Sequence, residues 1–263
     1  MRLATLLLLL TAAPALADGA VMRSLQTGDE GKGWEAVGRI ELGDRGFCTG
    51  ALIADDLVLT AAHCLFDKET GARIADGDMR FLAGWRNGRA EAYRNVARAV
   101  AHPDYVLTED EDLTRVGMDL ALLRLDQPIR LPQVTPFATD WTPRKGEEVG
   151  IVSYAKDRSE APSLQEVCEI MAQRRDLMVL ACAVDFGASG APVFALRDGE
   201  MRIVSVVSAK AEVDGSPVAL AVPLMEPLVT LQAAMAEDAP RETPGVRVLS
   251  GSGGGAKFIK VAP

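Results

Sequence analysis

Three short segments carry residue types that could do nucleophilic chemistry, and they follow one another along the chain. The first runs Phe47-Cys48-Thr49-Gly50-Ala51-Leu52-Ile53 into Val58-Leu59-Thr60-Ala61-Ala62-His63-Cys64. A histidine one residue before a cysteine, at the end of an apolar strand pattern, is a candidate general base on a fixed support. The second is Met118-Asp119-Leu120-Ala121-Leu122-Leu123, an acid entering an apolar run. The third, Gly187-Ala188-Ser189-Gly190-Ala191-Pro192, sets a serine between glycines, where a tight loop can turn backbone N–H groups inward. A hydroxyl nucleophile, a base titrating near neutrality, an acid to hold that base and backbone donors for a developing oxyanion are the parts that acyl transfer needs. Alone each segment is common; their conjunction in this order is not.

In these three motifs the stretch from about Trp34 to Met235 resembles the chymotrypsin-like (trypsin-fold) serine proteases. The order His, Asp, Ser is that of the chymotrypsin type among the unrelated folds that share this triad. The resemblance implies that Ser189 attacks the carbonyl and that His63 takes and returns the proton. Asp119 would fix the imidazole tautomer, and the N–H groups of Gly187 and Ser189 would receive the oxyanion. His102-Pro103-Asp104-Tyr105 resembles a stretch that precedes the aspartate strand in this family; by itself His102 reads as a loop histidine.

One departure bears on maturation. Animal members carry an aspartate just before the serine, which receives a new terminal amine; here that position is Ala188. The chain is in this respect similar to the bacterial glutamyl-endopeptidase (V8-like) branch. A chain beginning at Asp18 is expected to be active, or to become so by loss of an inhibitory leader, without such an ion pair.

The elements that must position these residues read as strands. Apolar runs at 36–42, 48–53, 57–60, 80–83, 97–101 and 120–125 alternate with Gly-Asp, Asn-Gly and Asp-Gly pairs. A second series, at 148–154, 164–170, 178–183, 192–196, 202–208 and 218–222, follows the Pro-rich segment 128–143. Two clusters of six suggest an all-β chain of two six-stranded antiparallel barrels, at about 34–127 and 144–222. Apolar residues at helical spacing predict a closing helix over 223–236. The domain so defined spans 34–238, preceded by a leader or prosegment at 18–33 and followed by a Gly/Pro-rich tail at 239–263.

Met1-Arg2-Leu3-Ala4-Thr5, five leucines and the exit Ala15-Leu16-Ala17 have the layout of a cleaved signal peptide, residues 1–17. Export to the periplasm or the medium is expected. No later run reaches the roughly 20 apolar residues a spanning helix needs. The formal charge is −9, and no basic run is present, which argues against nucleic acid as a partner because phosphate contacts dominate that affinity. The acidic run Glu109-Asp110-Glu111-Asp112 lacks calcium-loop spacing and reads as a solvated loop.

Four cysteines behind an export signal imply two disulfides, with three connectivities formally open. Their order suggests Cys48–Cys64 and Cys168–Cys182; in the family resemblance the first clips the histidine turn to the preceding strand. A metal site is disfavoured by the wide spacing, and no cofactor is implied.

The resemblance places the pocket for the residue before the scissile bond (P1) at 183–186 and at Val207, Ser208, Ala209 and Lys210. Counting back from Ser189 puts Ala183 at its base, leaves Asp185 too near the serine, and leaves Lys210 solvent-facing at the rim. A preference for small or medium apolar residues follows. The expected activity is that of a monomeric serine endopeptidase on peptide or protein substrates. The alternatives are a catalytically silent protease-like binding protein and an esterase or amidase on the same fold.

Overall fold

In the computed structural model, residues 22–107, 113–141 and 143–237 are described. The expected signal peptide, the acidic run 109–112 and the Gly/Pro-rich tail lie outside the described residues.

The described chain begins with a short strand, β1 (Met22–Ser24). The first barrel follows: β2 (Val37–Leu42), β3 (Phe47–Ala54), β4 (Leu57–Thr60), β5 (Met79–Ala83), β6 (Ala92–Ala101) and β7 (Ala121–Leu125). It closes in the order β2-β3-β4-β7-β6-β5, every pairing antiparallel. The second barrel comprises β8 (Glu148–Ala155), β9 (Arg158–Gln173), β10 (Met178–Leu180), β11 (Pro192–Arg197), β12 (Glu200–Val213) and β13 (Ser216–Pro223). Its order is β9-β10-β13-β12-β11-β8, and the β8–β9 pairing closes it. Helix α1 (Met225–Glu237) ends the described chain. The two six-stranded antiparallel barrels and C-terminal helix expected from the sequence are present.

Turn chemistry explains much of this register. Asp198-Gly199 and Asp214-Gly215 join β11 to β12 and β12 to β13 with positive φ at both residues, 52° and 82° in the first and 50° and 78° in the second. A two-residue hairpin loop of this hand matches the twist of its strands, and Asp-Gly adopts it at low cost.

One boundary differs from the sequence expectation. Residues 22–25, within the stretch assigned to a leader, are packed onto the second barrel: β1 pairs with Ser163–Gln165 of β9, and Leu25 is fully buried. A three-residue Met-Arg-Ser strand is too short to show alternation, so no pattern marked it.

Each barrel has its own apolar interior, around Phe81, Leu52 and Leu123 in the first and Ile170, Val193 and Leu180 in the second. A third cluster lies between them and draws on both, joining Leu59 and Leu122 to Tyr154, Phe194 and Val206, with Leu228 and Leu231 of α1. Burying a side chain of this size contributes about 1.5–3 kcal/mol. The shared cluster therefore opposes any sliding of one barrel on the other, which matters because the site straddles them. No helix among the described residues is long and apolar enough to cross a membrane.

Candidate active site

β4 ends at Thr60, and the chain enters a 3-10 turn, Ala62–Leu65, that presents His63. Cys64 in that turn is bonded to Cys48 of β3, so the turn is tied to the strand beneath it. A second 3-10 turn, Leu113–Met118, delivers Asp119 just before β7. Asp119 is 3% exposed. It accepts the His63 backbone N–H on Oδ1 at 2.8 Å, and its Oδ2 lies 2.7 Å from His63 Nδ1.

The Ser208 hydroxyl, on β12, donates to the same Oδ2 at 2.5 Å. Burial alone would push the Asp119 carboxyl up. The attraction of His63, its side-chain hydrogen bond, that of Ser208 and the His63 backbone N–H outweigh burial and hold the carboxyl below its usual range. An ionised carboxylate can only accept, so the neutral imidazole carries its proton on Nδ1 and leaves Nε2 with a free lone pair.

Ser189 sits in the loop between β10 and β11, where four successive carbonyls are each held by a donor. The Phe186 carbonyl accepts the Lys156 N–H at 2.8 Å, and that of Gly187 accepts Thr49 Oγ1 at 2.8 Å. The Ala188 carbonyl accepts the Ala191 N–H at 3.0 Å, and that of Ser189 accepts the Thr49 N–H at 2.9 Å. The Ala188 N–H donates to Asp185 and the Gly190 N–H to Val207. Among the described residues, the N–H groups of Gly187 and Ser189 donate to no protein acceptor. No peptide here is cis, so each of these N–H groups points opposite the anchored carbonyl of the same plane. Two alternate donors left free on a pinned backbone are the parts from which an anion-binding concavity is built.

Two glycines are required for the loop to sit where it does. Gly187 has φ of 99°, and a Cβ there would stand 2.4 Å from the Phe47 ring. Gly190 has φ of 78°, and a Cβ would stand 2.1 Å from Thr60 Oγ1 and 2.4 Å from the Thr49 carbonyl. Positive φ disfavours side chains, and the close approach excludes them.

Beside Ser189 lies a cavity of about 220 Å³, whose walls include Val184, Asp185, Phe186, Val207 and Lys210. Three sequence expectations change here. Lys210 does not simply face solvent: its Nζ pairs with Asp185 Oδ1 at 2.9 Å and lies 4.0 Å from the centroid of the Phe186 ring. Its ammonium also holds the Asp185 carboxyl below the usual range, with help from the Phe186 N–H. Ser208 borders the cavity but spends its hydroxyl on Asp119. Ala183 is not at the base of this cavity; it lines a second recess of about 600 Å³ with Met22, Arg158, Asp185 and Lys210. The Asp185–Lys210 pair borders both spaces. Val207 and Ala209 line the cavity as expected.

His63, Asp119 and Ser208 are joined by hydrogen bonds, and Ser189 faces the adjoining cavity. His63 Nε2 and Ser189 Oγ are not bonded to each other, an arrangement common in unliganded sites, where such bonds tighten on substrate binding. Sequence reasoning missed the parts played by Thr49 and by the Ser208 hydroxyl; Thr49 lies inside the first motif, but nothing in the motif singles out its side chain. His102 stands apart, buried, with Nδ1 accepting the Asp104 N–H at 3.2 Å. Both disulfides match the expected pairing. Among the described residues the only cluster with metal-ligating atoms is Cys48, His63 and Cys64, and its cysteines are consumed in a disulfide.

Comparison with known proteins places the chain in a family and supports the fold. A family model for the trypsin-like peptidase domain matches residues 48–202. Human chymotrypsin-like elastase family member 1 is 37% identical over 84 residues, covering 32% of this chain and 30% of that protein. Trypsin V-A of Rattus norvegicus is 32% identical over 100 residues, covering 35% of this chain and 36% of the other. The matched part is thus about a third of the length of these curated relatives. Among solved structures, a Glu endopeptidase in complex with MPD superposes with a TM-score of 0.64 at 20% identity, over 78% of this chain and 92% of that one. A thermostable serine protease from an extremophilic microorganism gives 0.62 at 16% identity, over 78% and 98%. At such identities these two likenesses speak for the fold alone.

Proposed function

Because the chain belongs to the trypsin-like peptidase family, we propose that it is a serine endopeptidase working through an acyl-enzyme. Ser189 Oγ attacks the scissile carbonyl carbon while His63 Nε2 takes its proton. The N–H groups of Gly187 and Ser189 receive the oxyanion, and preorganised donors of this kind are typically worth about 2.7–4 kcal/mol each. Collapse of the tetrahedral intermediate expels the amine, which leaves with the proton from His63. Water then attacks the Ser189 ester, giving its proton to His63, and the acid product departs as Ser189 recovers its proton. Asp119 holds the imidazole and balances its charge in both halves.

The observation that carries this reading is the pairing of an Asp119-oriented imidazole with two unspent N–H groups flanking one serine. The same machinery would act on esters, so esterase activity is an expected side reaction of the peptidase. Export to an oxidising compartment, secreted or periplasmic, is supported by the apolar N-terminal segment and by both disulfides. The substrate side chain at P1 is proposed to be small or medium and apolar, because the Asp185–Lys210 pair borders the cavity beside the serine.

A fluorophosphonate probe followed by peptide mapping tests the proposal. The expected adduct is on Ser189, and none should form in Ser189→Ala. A folded, fully disulfide-bonded chain that never labels would instead favour a protease-like binding protein.

A further inference from the structure

The side chain at position 188 is a buried methyl group and offers the loop around Ser189 no charge by which to be fixed. Two of the four anchored carbonyls, those of Gly187 and Ser189, end on one residue of the opposite barrel. Thr49 Oγ1 donates to Gly187, and the Thr49 N–H donates to Ser189. The same hydroxyl accepts the Tyr154 N–H at 3.0 Å, and the Thr49 carbonyl accepts Thr60 Oγ1 at 2.8 Å. Thr49 is wholly buried, every polar group it has is used, and three of these four bonds cross from the first barrel to the second.

From this geometry we infer that Thr49 is the positioning residue for the oxyanion donors, acting through the backbone of Gly187 and Ser189. The inference rests on the acyl-transfer reading above. Glycine rotates about its own φ and ψ more freely than any other residue, so Gly187 is the weak point of the loop. The planes on either side of it are pinned at their carbonyls, the earlier by the Lys156 N–H and the later by the Thr49 hydroxyl. Without that hydroxyl the Gly187 carbonyl is a buried acceptor with no partner, and the plane can relieve this by turning. That plane carries the Ala188 N–H and joins the plane of the Gly187 N–H to that of the Ser189 N–H, so its turning would shift the dihedrals on both sides and take the two donors out of register with the oxyanion. A strand-forming β-branched residue would serve β3 equally well as valine; only the hydroxyl meets this need.

The test compares Thr49→Val, which keeps the shape, with Thr49→Ser, which keeps the hydroxyl. In Thr49→Val, kcat and the rate of fluorophosphonate addition to Ser189 should fall together by about 10- to 100-fold, below the loss for deleting an oxyanion donor outright. KM should stay within about threefold, as expected when the lost interaction is made only in the transition state. The acid limb of the pH profile should not move, and Thr49→Ser should recover most of the rate. If the valine variant does not fold, Thr49→Ala against Thr49→Ser makes the same comparison one methyl smaller. A wild-type rate in a folded variant lacking the hydroxyl, or a serine variant as slow as it, overturns the inference. Failure of the wild type to label at Ser189 would instead count against the peptidase reading.

Discussion

Ser208 and His63 share one acceptor: the Ser208 hydroxyl and the His63 Nδ1 both meet Asp119 Oδ2, at 2.5 Å and 2.7 Å. Ser208 thus acts on the base through its carboxylate, and its removal should be felt in rate before specificity. A hydrogen bond to a charged group contributes about 1.5–3 kcal/mol. Ser208→Ala is expected to lower kcat by about tenfold while leaving the P1 profile across a peptide library unchanged. A shifted profile at unchanged kcat would return Ser208 to the role of a pocket residue.

Asp119→Asn should cost far more, about 10⁴-fold in kcat, because an amide donating to Nδ1 forces the imidazole into the tautomer that cannot act as base. The same variant tests the electrostatics. A carboxyl whose folded pKa is depressed contributes stability that is fully present above its unfolded value, about 3.9, and lost as pH falls through the folded value. Asp119 is such a group. The gap in melting temperature between wild type and Asp119→Asn should therefore narrow as pH is lowered from 6 toward 3. A gap that widens would show that the carboxyl is not held low.

The pair at the cavity mouth gives a prediction about selectivity. An exposed ion pair is typically worth no more than about 1 kcal/mol, so Lys210→Ala should leave folding intact. With the two recesses no longer parted by this pair, cleavage after larger residues should rise relative to cleavage after small ones. Asp185 is held low chiefly by its hydrogen bond from Lys210, so the pair persists throughout the neutral range and comes apart only as pH falls through the lowered Asp185 value. P1 preference measured at pH 5.5 and pH 8 should thus be the same in the wild type. A profile that changes between those two values would mean that Asp185 does not control the mouth.

The two disulfides should part company under mutation. Each closes a loop of about 15 residues and is worth about 3 kcal/mol in the chain-entropy model. Replacing Cys168 and Cys182 by alanine should lower the melting temperature and leave kcat at 25 °C near wild type. Replacing Cys48 and Cys64 should lower both, since these cysteines adjoin Thr49 and His63 in the chain. Thermal melts and active-site titration of the two double variants make the comparison. Equal kcat in both would show that the first bridge does not hold the site.

What could be read from the chain, and what could not, follows from the range of the interactions. The interior strands alternate visibly, and Leu57–Thr60 falls where the apolar run placed it. The outer reaches of β9 and β12 escaped notice because Arg158-Ser159-Glu160 and Ala209-Lys210-Ala211-Glu212 extend past the barrel interior, where alternation carries no apolar signal. The positions of His63, Asp119 and Ser189 were legible because each sits in a local motif. Thr49 and Ser208 were not, because their bonds join residues 138 and 89 positions apart and exist only once the barrels dock. Ala183 was misplaced for a related reason: counting back from the serine fixes distance along a loop, not the direction in which it turns.

The bond between Cys48 and Cys64 lies one residue from Thr49 on one side and one residue from His63 on the other. One covalent link therefore secures both the anchor of the serine loop and the turn that presents the base. Cytosolic thiol buffers would keep those cysteines reduced. A newly made chain would then hold the serine loop and the histidine turn less firmly than the oxidised one. On the proposed export route, oxidation would act as an interlock, arming the proposed peptidase where its cysteines pair and with no terminal amine paired beside Ala188.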